Sequence, residues 1–211
     1  MKVDFDIYLV TDRKQTCGKS LEEVIKSSLA GGIKAVQLRE KDLDDRELFT
    51  IAKRLKTLTH RFGAKLFIND RLDIALAVDA DGLHLGQESI SPNDARKHFG
   101  ENKLIGVSAH SLDEALRAEN DGADFITIGP IYDTPSKRRY GKPIGLNELE
   151  RVTGKLRIPT FAIGGMRKEK VRDIIHAGAH GIALISAVLK TKNPEKAAKE
   201  IVEEMRCRKG K

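Results

Sequence analysis

The chain has 211 residues, 40% of them hydrophobic, which suits one well-buried core, and no composition break divides it. Its apolar runs are only strand-sized, and no charged segment followed by an apolar stretch stands at Met1, so the reading is a cytoplasmic protein without a membrane span or secretory leader. The formal charge of +7 is concentrated at Lys137, Arg138, Arg139 and Lys142 and again at Arg206, Arg208, Lys209 and Lys211; the rest is near neutral, which argues against a nucleic-acid partner.

In chain order, a strand is predicted over 7–10, running into Thr11-Asp12-Arg13. Leu21, Val24, Ile25, Ser28 and Leu29 then fall at helical spacing behind a capping box from Ser20 to Glu23, and Gly31-Gly32 stops the run. A second strand over 34–36 opens into Gln37-Leu38-Arg39-Glu40-Lys41, and the stripe Leu48, Ile51, Ala52, Leu55, Leu58 and Phe62 marks the next helix, ending at Gly63. A strand over 65–68 stops at Asn69-Asp70-Arg71, one over 82–85 enters Gly86-Gln87-Glu88-Ser89, and Ser91-Pro92 starts a helix. A strand over 104–107 leads into Ser108-Ala109-His110, with a second capping box from Ser111 to Glu114. A strand over 125–128 opens into Gly129-Pro130 and Thr134-Pro135-Ser136-Lys137, one over 160–163 into Gly164-Gly165, and one over 182–185 into Ser186. A helix ends at Gly178, and Asn193-Pro194 begins the last. Cys17 and Cys207 lack partner spacing and read as free thiols.

A faint repeat runs through this order. Residues 30–36, 121–126 and 177–182 each join a helix stop to a buried strand. Continuous apolar strands alternating with helices indicate a parallel sheet covered on both faces, and eight such units in this length indicate a single (β/α)8 TIM barrel, an α/β fold spanning 1–211 with a basic tail from about 206. An open doubly wound sheet is the other arrangement, but there is no early Gly-x-Gly-x-x-Gly turn.

In such a barrel all strand C-termini meet at one mouth. Arg39, Lys41 and Lys137 are cations there, Asp70 is a hard oxygen ligand, and Gln37, Asn69, Ser108, Thr134 and Ser136 are neutral hydrogen bonders, a set suited to a polyphosphate with a divalent ion. Each element also has a plainer meaning. Gln37-x-Arg39-x-Lys41 reads either as a solvated edge or as part of the site, and Asn69-Asp70 either caps a helix starting at Arg71 or binds metal, or does both. His84 reads as a structural histidine inside the barrel, whereas His110, at a strand end, is the better site candidate. Gly164-Gly165 with Ile185-Ser186 is either a phosphate cradle or a tight turn.

At these residues the chain resembles the thiamine-phosphate synthase family, whose close relatives are the TenI-type thiazole tautomerases. The resemblance is carried in order by Tyr8-Leu9-Val10-Thr11-Asp12, Val36-Gln37-Leu38-Arg39-Glu40-Lys41, Ile68-Asn69-Asp70-Arg71, residues 80–87, Gly106-Val107-Ser108-Ala109-His110, Gly129-Pro130-Ile131-Tyr132, Ala162-Ile163-Gly164-Gly165-Met166 and Ile185-Ser186-Ala187. It implies a transferase that couples hydroxymethylpyrimidine pyrophosphate to a thiazole phosphate, giving thiamine phosphate and pyrophosphate with Mg2+ as cofactor. It further implies that Gln37, Arg39, Lys41, Asn69, Ser108, Thr134, Ser136 and Lys137 hold the pyrimidine substrate, that Asp70 ligates Mg2+, and that Gly165, Ile185 and Ser186 hold the thiazole phosphate. Arg39, Lys41, Ser108 and Lys137 are the groups expected to assist catalysis. Partners are then small-molecule substrates, acted on by the chain alone or as a homo-oligomer. Two positions depart from the family: Ser136 replaces a threonine, and Ser89 stands where a second metal carboxylate is expected, a role that Glu88 or water would take over. The Ser89 departure keeps a thiazole tautomerase using His110 as the second reading, and a non-catalytic ligand-binding regulator as a third.

Overall fold

The apolar runs become eight short parallel strands: β1 (Ile7–Val10), β2 (Ala35–Leu38), β3 (Lys65–Asn69), β4 (Gly82–Leu85), β5 (Leu104–Ala109), β6 (Phe125–Ile128), β7 (Thr160–Ile163) and β8 (Gly181–Leu184). Each pairs with the next in order, and β8 pairs back onto β1, closing the expected barrel. This computed structural model describes residues 3–134 and 142–210.

Around the barrel run α1 (Leu21–Ala30), α2 (Asp45–Arg61), α3 (Leu72–Ala77), α4 (Pro92–Phe99), α5 (Leu112–Asn120), α6 (Gly145–Thr153), α7 (Val171–His176), α8 (Ser186–Leu189) and α9 (Pro194–Lys209). The capping box of α1 is complete, with Ser20 and Glu23 each accepting the other's backbone N–H. A second complete box, Asp44 with Glu47, starts α2. At α5 the box is only half made: Ser111 accepts from the Glu114 N–H, but the Glu114 carboxylate turns to His110 instead. Arg206, Arg208 and Lys209, expected to form a tail, lie on the last turn of α9, and Lys211 is outside the described residues. Among the described residues no helix is long and apolar enough to cross a membrane, and both cysteines are free and exposed.

Successive residues of a strand face opposite sides, so every strand contributes to two cores. Outward residues such as Leu9, Val36, Ile68, Leu83, Ile105, Ile126 and Ile182 pack against the apolar stripes of the helices. Inward, Tyr8, Phe67, Phe125 and Phe161, with Phe5, form an aromatic floor in which ring centroids lie 5.1–6.2 Å apart. The rings fit because glycine stands opposite them. A Cβ on Gly82 would lie 2.1 Å from the Phe67 ring, and one on Gly106 would lie 2.3 Å from that of Phe125. Two residues nearer the mouth, on the same inner face, the partners of this floor are polar: Gln37 above Ala35, Asn69 above Phe67, His84 above Gly82, Ser108 above Gly106 and Thr127 above Phe125. The period-two rule thus turns an apolar floor into a polar mouth in one step along five strands.

This corrects where several strands end. The ladder continues through Gln37 and Leu38 in β2 and through Ser108 and Ala109 in β5, residues expected in the loops, whereas β8 stops at Leu184. Polar side chains near the mouth break the apolar run without breaking the backbone pairing.

Candidate active site

Two clusters form at the mouth, with a polar network beneath them. The first gathers on Asp70. Its backbone lies at φ +60, in the left-handed region that a short polar side chain tolerates, and its N–H donates to the His84 carbonyl (2.9 Å). Neither Asn69 nor Asp70 caps α3 with its side chain, so the capping alternative fails. The Asp70 carboxylate instead accepts from the Ser89 hydroxyl (2.6 Å) and the Gly86 N–H (3.1 Å) on one oxygen, and from Asn69 Nδ2 (2.7 Å) and Lys41 Nζ (3.4 Å) on the other. Partial burial pushes the Asp70 carboxyl up, but the Ser89 hydroxyl, Lys41 and the Gly86 N–H outweigh it and hold the group below the usual carboxylate range. It is an anion at neutral pH.

The loop bearing Arg39 and Lys41 is pinned from beneath. Glu40, 6% exposed, accepts the Arg13 N–H on both oxygens (3.0 and 3.1 Å) and the Arg13 guanidinium (3.2 Å), which also reaches Asp42 (2.5 Å). The Arg39 N–H donates to Thr11 Oγ1 (2.9 Å), leaving its half-buried side chain beside the mouth. The buried Glu40 turns the residues on either side, Arg39 and Lys41, away from the core; of this segment Gln37 is buried, Arg39 half-buried and Lys41 exposed.

The second cluster lies across the ends of β7 and β8. A cavity of about 430 Å³ is lined by Thr134, Gly164, Gly165, Ile185 and Ser186, together with Gln15, Arg167 and Lys190. Gly164 and Gly165 have φ of +97 and +68, and a Cβ on Gly165 would fall 2.7 Å from Tyr132 Cβ. The loop after β6 is hydrogen-bonded onto the end of β7 beside this pair, through Ile131 N–H to Ile163 O and Tyr132 N–H to Gly164 O. Ser186 opens α8, where the first N–H groups of a helix have no intrahelical acceptor.

The network beneath consists of Gln37, Tyr8, His84, Ser108 and Thr127. Gln37, 2% exposed, donates to the Tyr8 hydroxyl (3.1 Å), which lies 3.3 Å from His84 Nδ1, and His84 Nε2 lies 3.0 Å from Ser108 Oγ. Burial pushes the Tyr8 hydroxyl well above its ordinary pKa, so it remains a phenol. His84 thus has the interior, hydrogen-bonded place expected of it.

Of the remaining candidates, Glu88 is exposed, and His110 sits with Nδ1 3.1 Å from Glu114 Oε2. Ser136 and Lys137 lie outside the described residues. Among the described residues no three His, Cys, Asp or Glu side chains come together as a metal cluster. The sequence reading missed Tyr8 and Thr127 in the network, and Gln15, Arg167 and Lys190 in the second cluster. Tyr8 and Thr127 share the inner-face parity of Gln37 and Ser108, the signal that would have found them.

The pattern of a family described as thiamine monophosphate synthase matches residues 7–188. The chain is 49% identical over 201 residues to a putative thiamine-phosphate synthase of Geobacter sulfurreducens, covering 95% of this chain and 94% of that protein. It is 43% identical over 203 residues to the thiamine-phosphate synthase of Clostridium botulinum strain Eklund 17B, covering 96% and 95%. Among solved structures it is similar to the thiamine phosphate pyrophosphorylase from Pyrococcus furiosus, with a TM-score of 0.88 and 38% identity over 96% of each chain.

Proposed function

The chain belongs to the thiamine monophosphate synthase family, and from that premise we propose how its residues make it a transferase that joins hydroxymethylpyrimidine pyrophosphate to a thiazole phosphate. The observation that carries the reading is the ionised Asp70 with Lys41 and Asn69 on one side of the mouth, facing the Gly165 and Ser186 cavity on the other. Two anionic substrates need two such places.

The pyrimidine CH2–O bond breaks with its electron pair leaving on pyrophosphate, and the thiazole nitrogen then captures the carbocation to give thiamine phosphate. No side-chain nucleophile is required, so the protein stabilises the leaving group and positions the acceptor. Arg39 and Lys41, with Lys137 outside the described residues, meet the charge on the pyrophosphate; Gln37, Asn69, Ser108 and Ser136 orient the pyrimidine substrate by hydrogen bonds, whereas Thr134, expected from the sequence on that side, lines the Gly165 and Ser186 cavity and is assigned to the thiazole phosphate. Gly165, Ile185 and Ser186 hold the thiazole phosphate by backbone and hydroxyl donors. The substrates are small molecules, and we assign the reaction to the cytoplasm with no nucleic acid or membrane partner.

Mg2+ fits this donor set. It is commonly held through one or two carboxylates plus substrate phosphates and water, and Asp70 supplies one ionised carboxylate beside the pyrophosphate position. When bound, the ion supplies divalent charge to the departing pyrophosphate. Ser89 spends its hydroxyl on Asp70 and Glu88 is exposed, so Asp70 is the residue we assign to the metal.

A consequence follows for Ser89. With one carboxylate, the free chain holds the ion weakly and gains affinity when pyrophosphate adds its oxygens. Ser89→Asp is expected to tighten Mn2+ binding without substrate by roughly tenfold, the scale of one added charged ligand. Mn2+ electron paramagnetic resonance titration checks this, and unchanged affinity would show that position 89 does not face the ion.

The reading itself is tested by incubating the chain with both substrates and Mg2+ and looking for thiamine phosphate by mass spectrometry. Absence of product, with conversion of a thiazole carboxylate phosphate to its tautomer, would replace the transferase by an isomerase using His110.

A further inference from the structure

We infer that Tyr8 and His84 are positioning residues that fix the direction of the Ser108 hydroxyl, so that Ser108 meets an anionic substrate only as a hydrogen-bond donor. The inference rests on the proposed placement of the pyrophosphate at the mouth.

The direction follows from counting donors along the buried network. The Gln37 amide nitrogen donates to the Tyr8 oxygen at 3.1 Å. Tyr8 is fully buried, so its own hydrogen needs an acceptor, and His84 Nδ1 stands 3.3 Å away. If Nδ1 carried a proton, the Tyr8 oxygen would face two donors and its O–H would point at none. Neutral His84 with its proton on Nε2 satisfies both groups. Nε2–H then donates to Ser108 Oγ at 3.0 Å, and Thr127 Oγ1, 3.4 Å from the same oxygen, donates to it as well.

Both lone pairs of Ser108 are thereby occupied. Its hydrogen is the one in the network not used within it, and β5 carries it on the inner face one step above Gly106. A hydroxyl left to itself rotates to suit either a donor or an acceptor. One held by two donors presents only its O–H, which suits a phosphate oxygen and repels a cation or an N–H. A single amide at the far end of the network, Gln37, sets this polarity at Ser108 through two side chains, Tyr8 and His84.

The first test needs no substrate. Long-range 15N–1H spectra of the full chain at neutral pH should show His84 as the Nε2–H tautomer, assigned by its loss in His84→Gln. The Nδ1–H tautomer or an imidazolium would overturn the inference whatever reaction the chain catalyses. Tyr8→Phe keeps the ring in the floor and removes only the hydroxyl; it should give a mixture of His84 tautomers. With activity as a second readout, Tyr8→Phe should lower kcat about fivefold, as expected for one misdirected neutral hydrogen bond, with KM for the thiazole phosphate unchanged. Ser108→Ala should lower kcat more, and adding Tyr8→Phe to it should cost nothing further, since the coupling acts through Ser108. Additive losses would mean that Tyr8 acts through packing alone. Thermal melts of both single variants near that of the parent separate this outcome from misfolding.

Discussion

Asp70→Asn is expected to lower turnover by about 10²–10³-fold while leaving the barrel folded, the loss typical of removing one preorganised electrostatic group from a site that stabilises charge. Asparagine is the informative change because it keeps everything about Asp70 except its charge. Asp70 has φ +60, and asparagine enters the left-handed region as readily as aspartate, whereas alanine there adds strain of its own. The amide oxygen of the substituted side chain can still accept from Ser89 and from the Gly86 N–H. Its amide nitrogen would then face Asn69 Nδ2 and Lys41 Nζ, both donors, where the carboxylate accepted at 2.7 and 3.4 Å. Lys41 is more than half exposed and can swing into solvent, so the fold loses little. What disappears is the anion that holds Lys41 over the mouth and would hold the metal. Turnover measured across a Mg2+ titration, beside a thermal melt, checks the expectation. Near-parental turnover at every Mg2+ concentration would remove Asp70 from the metal and with it the leaving-group half of the proposal.

The barrel was legible because its strands are buried on both faces: runs such as Ile105-Gly106-Val107 and Phe125-Ile126-Thr127-Ile128 name strands by burial alone, and the residues after them converge in only one way once the sheet closes. The limits of the strands were not legible from the same signal. Gln37 and Ser108 looked like loop residues because polarity ended the apolar run, yet the backbone ladder continues past both, and a polar inner face needs partners rather than water. The same logic hid Tyr8. In sequence it is an aromatic residue favouring a strand, and only the position of β1 against β2 and β8 puts its hydroxyl between Gln37 and His84. Asp70 stood out by its chemistry while its local role stayed open: an Asx pair before a helix suggests a cap as readily as a ligand, and here the left-handed turn carries the carboxylate to Ser89 and Gly86, contacts some 16 to 19 residues away. Glu114 was likewise drawn off its cap by His110. Local rules predicted the elements; contacts across strands decided which side chains were free to serve them.

The other large effect is expected at Gly165, and it should separate the two halves of the site. At φ +68 an alanine carries a strain of about 1–2 kcal/mol before any contact is counted. Its Cβ would also fall 2.7 Å from Tyr132 Cβ and 3.2 Å from the Asp133 carbonyl, and neither neighbour is the end of a flexible side chain. Because the loop after β6 is hydrogen-bonded to the end of β7 through Ile131 and Tyr132, it cannot yield without moving Thr134, which lines the same cavity as Ser186. Gly165→Ala should therefore raise KM for the thiazole phosphate by about 10–100-fold, the equivalent of 1–3 kcal/mol of local strain and displacement. Asp70 and Lys41 stand at the ends of β3 and β2, on the other side of the barrel, so KM for the pyrimidine pyrophosphate and Mn2+ affinity in its presence should stay within about twofold, as for sites that share no partner. Steady-state kinetics with each substrate varied in turn reads both numbers. A rise confined to the pyrimidine substrate would exchange the two assignments, and equal rises in both would mean that the substrates share one place at the mouth rather than occupying two.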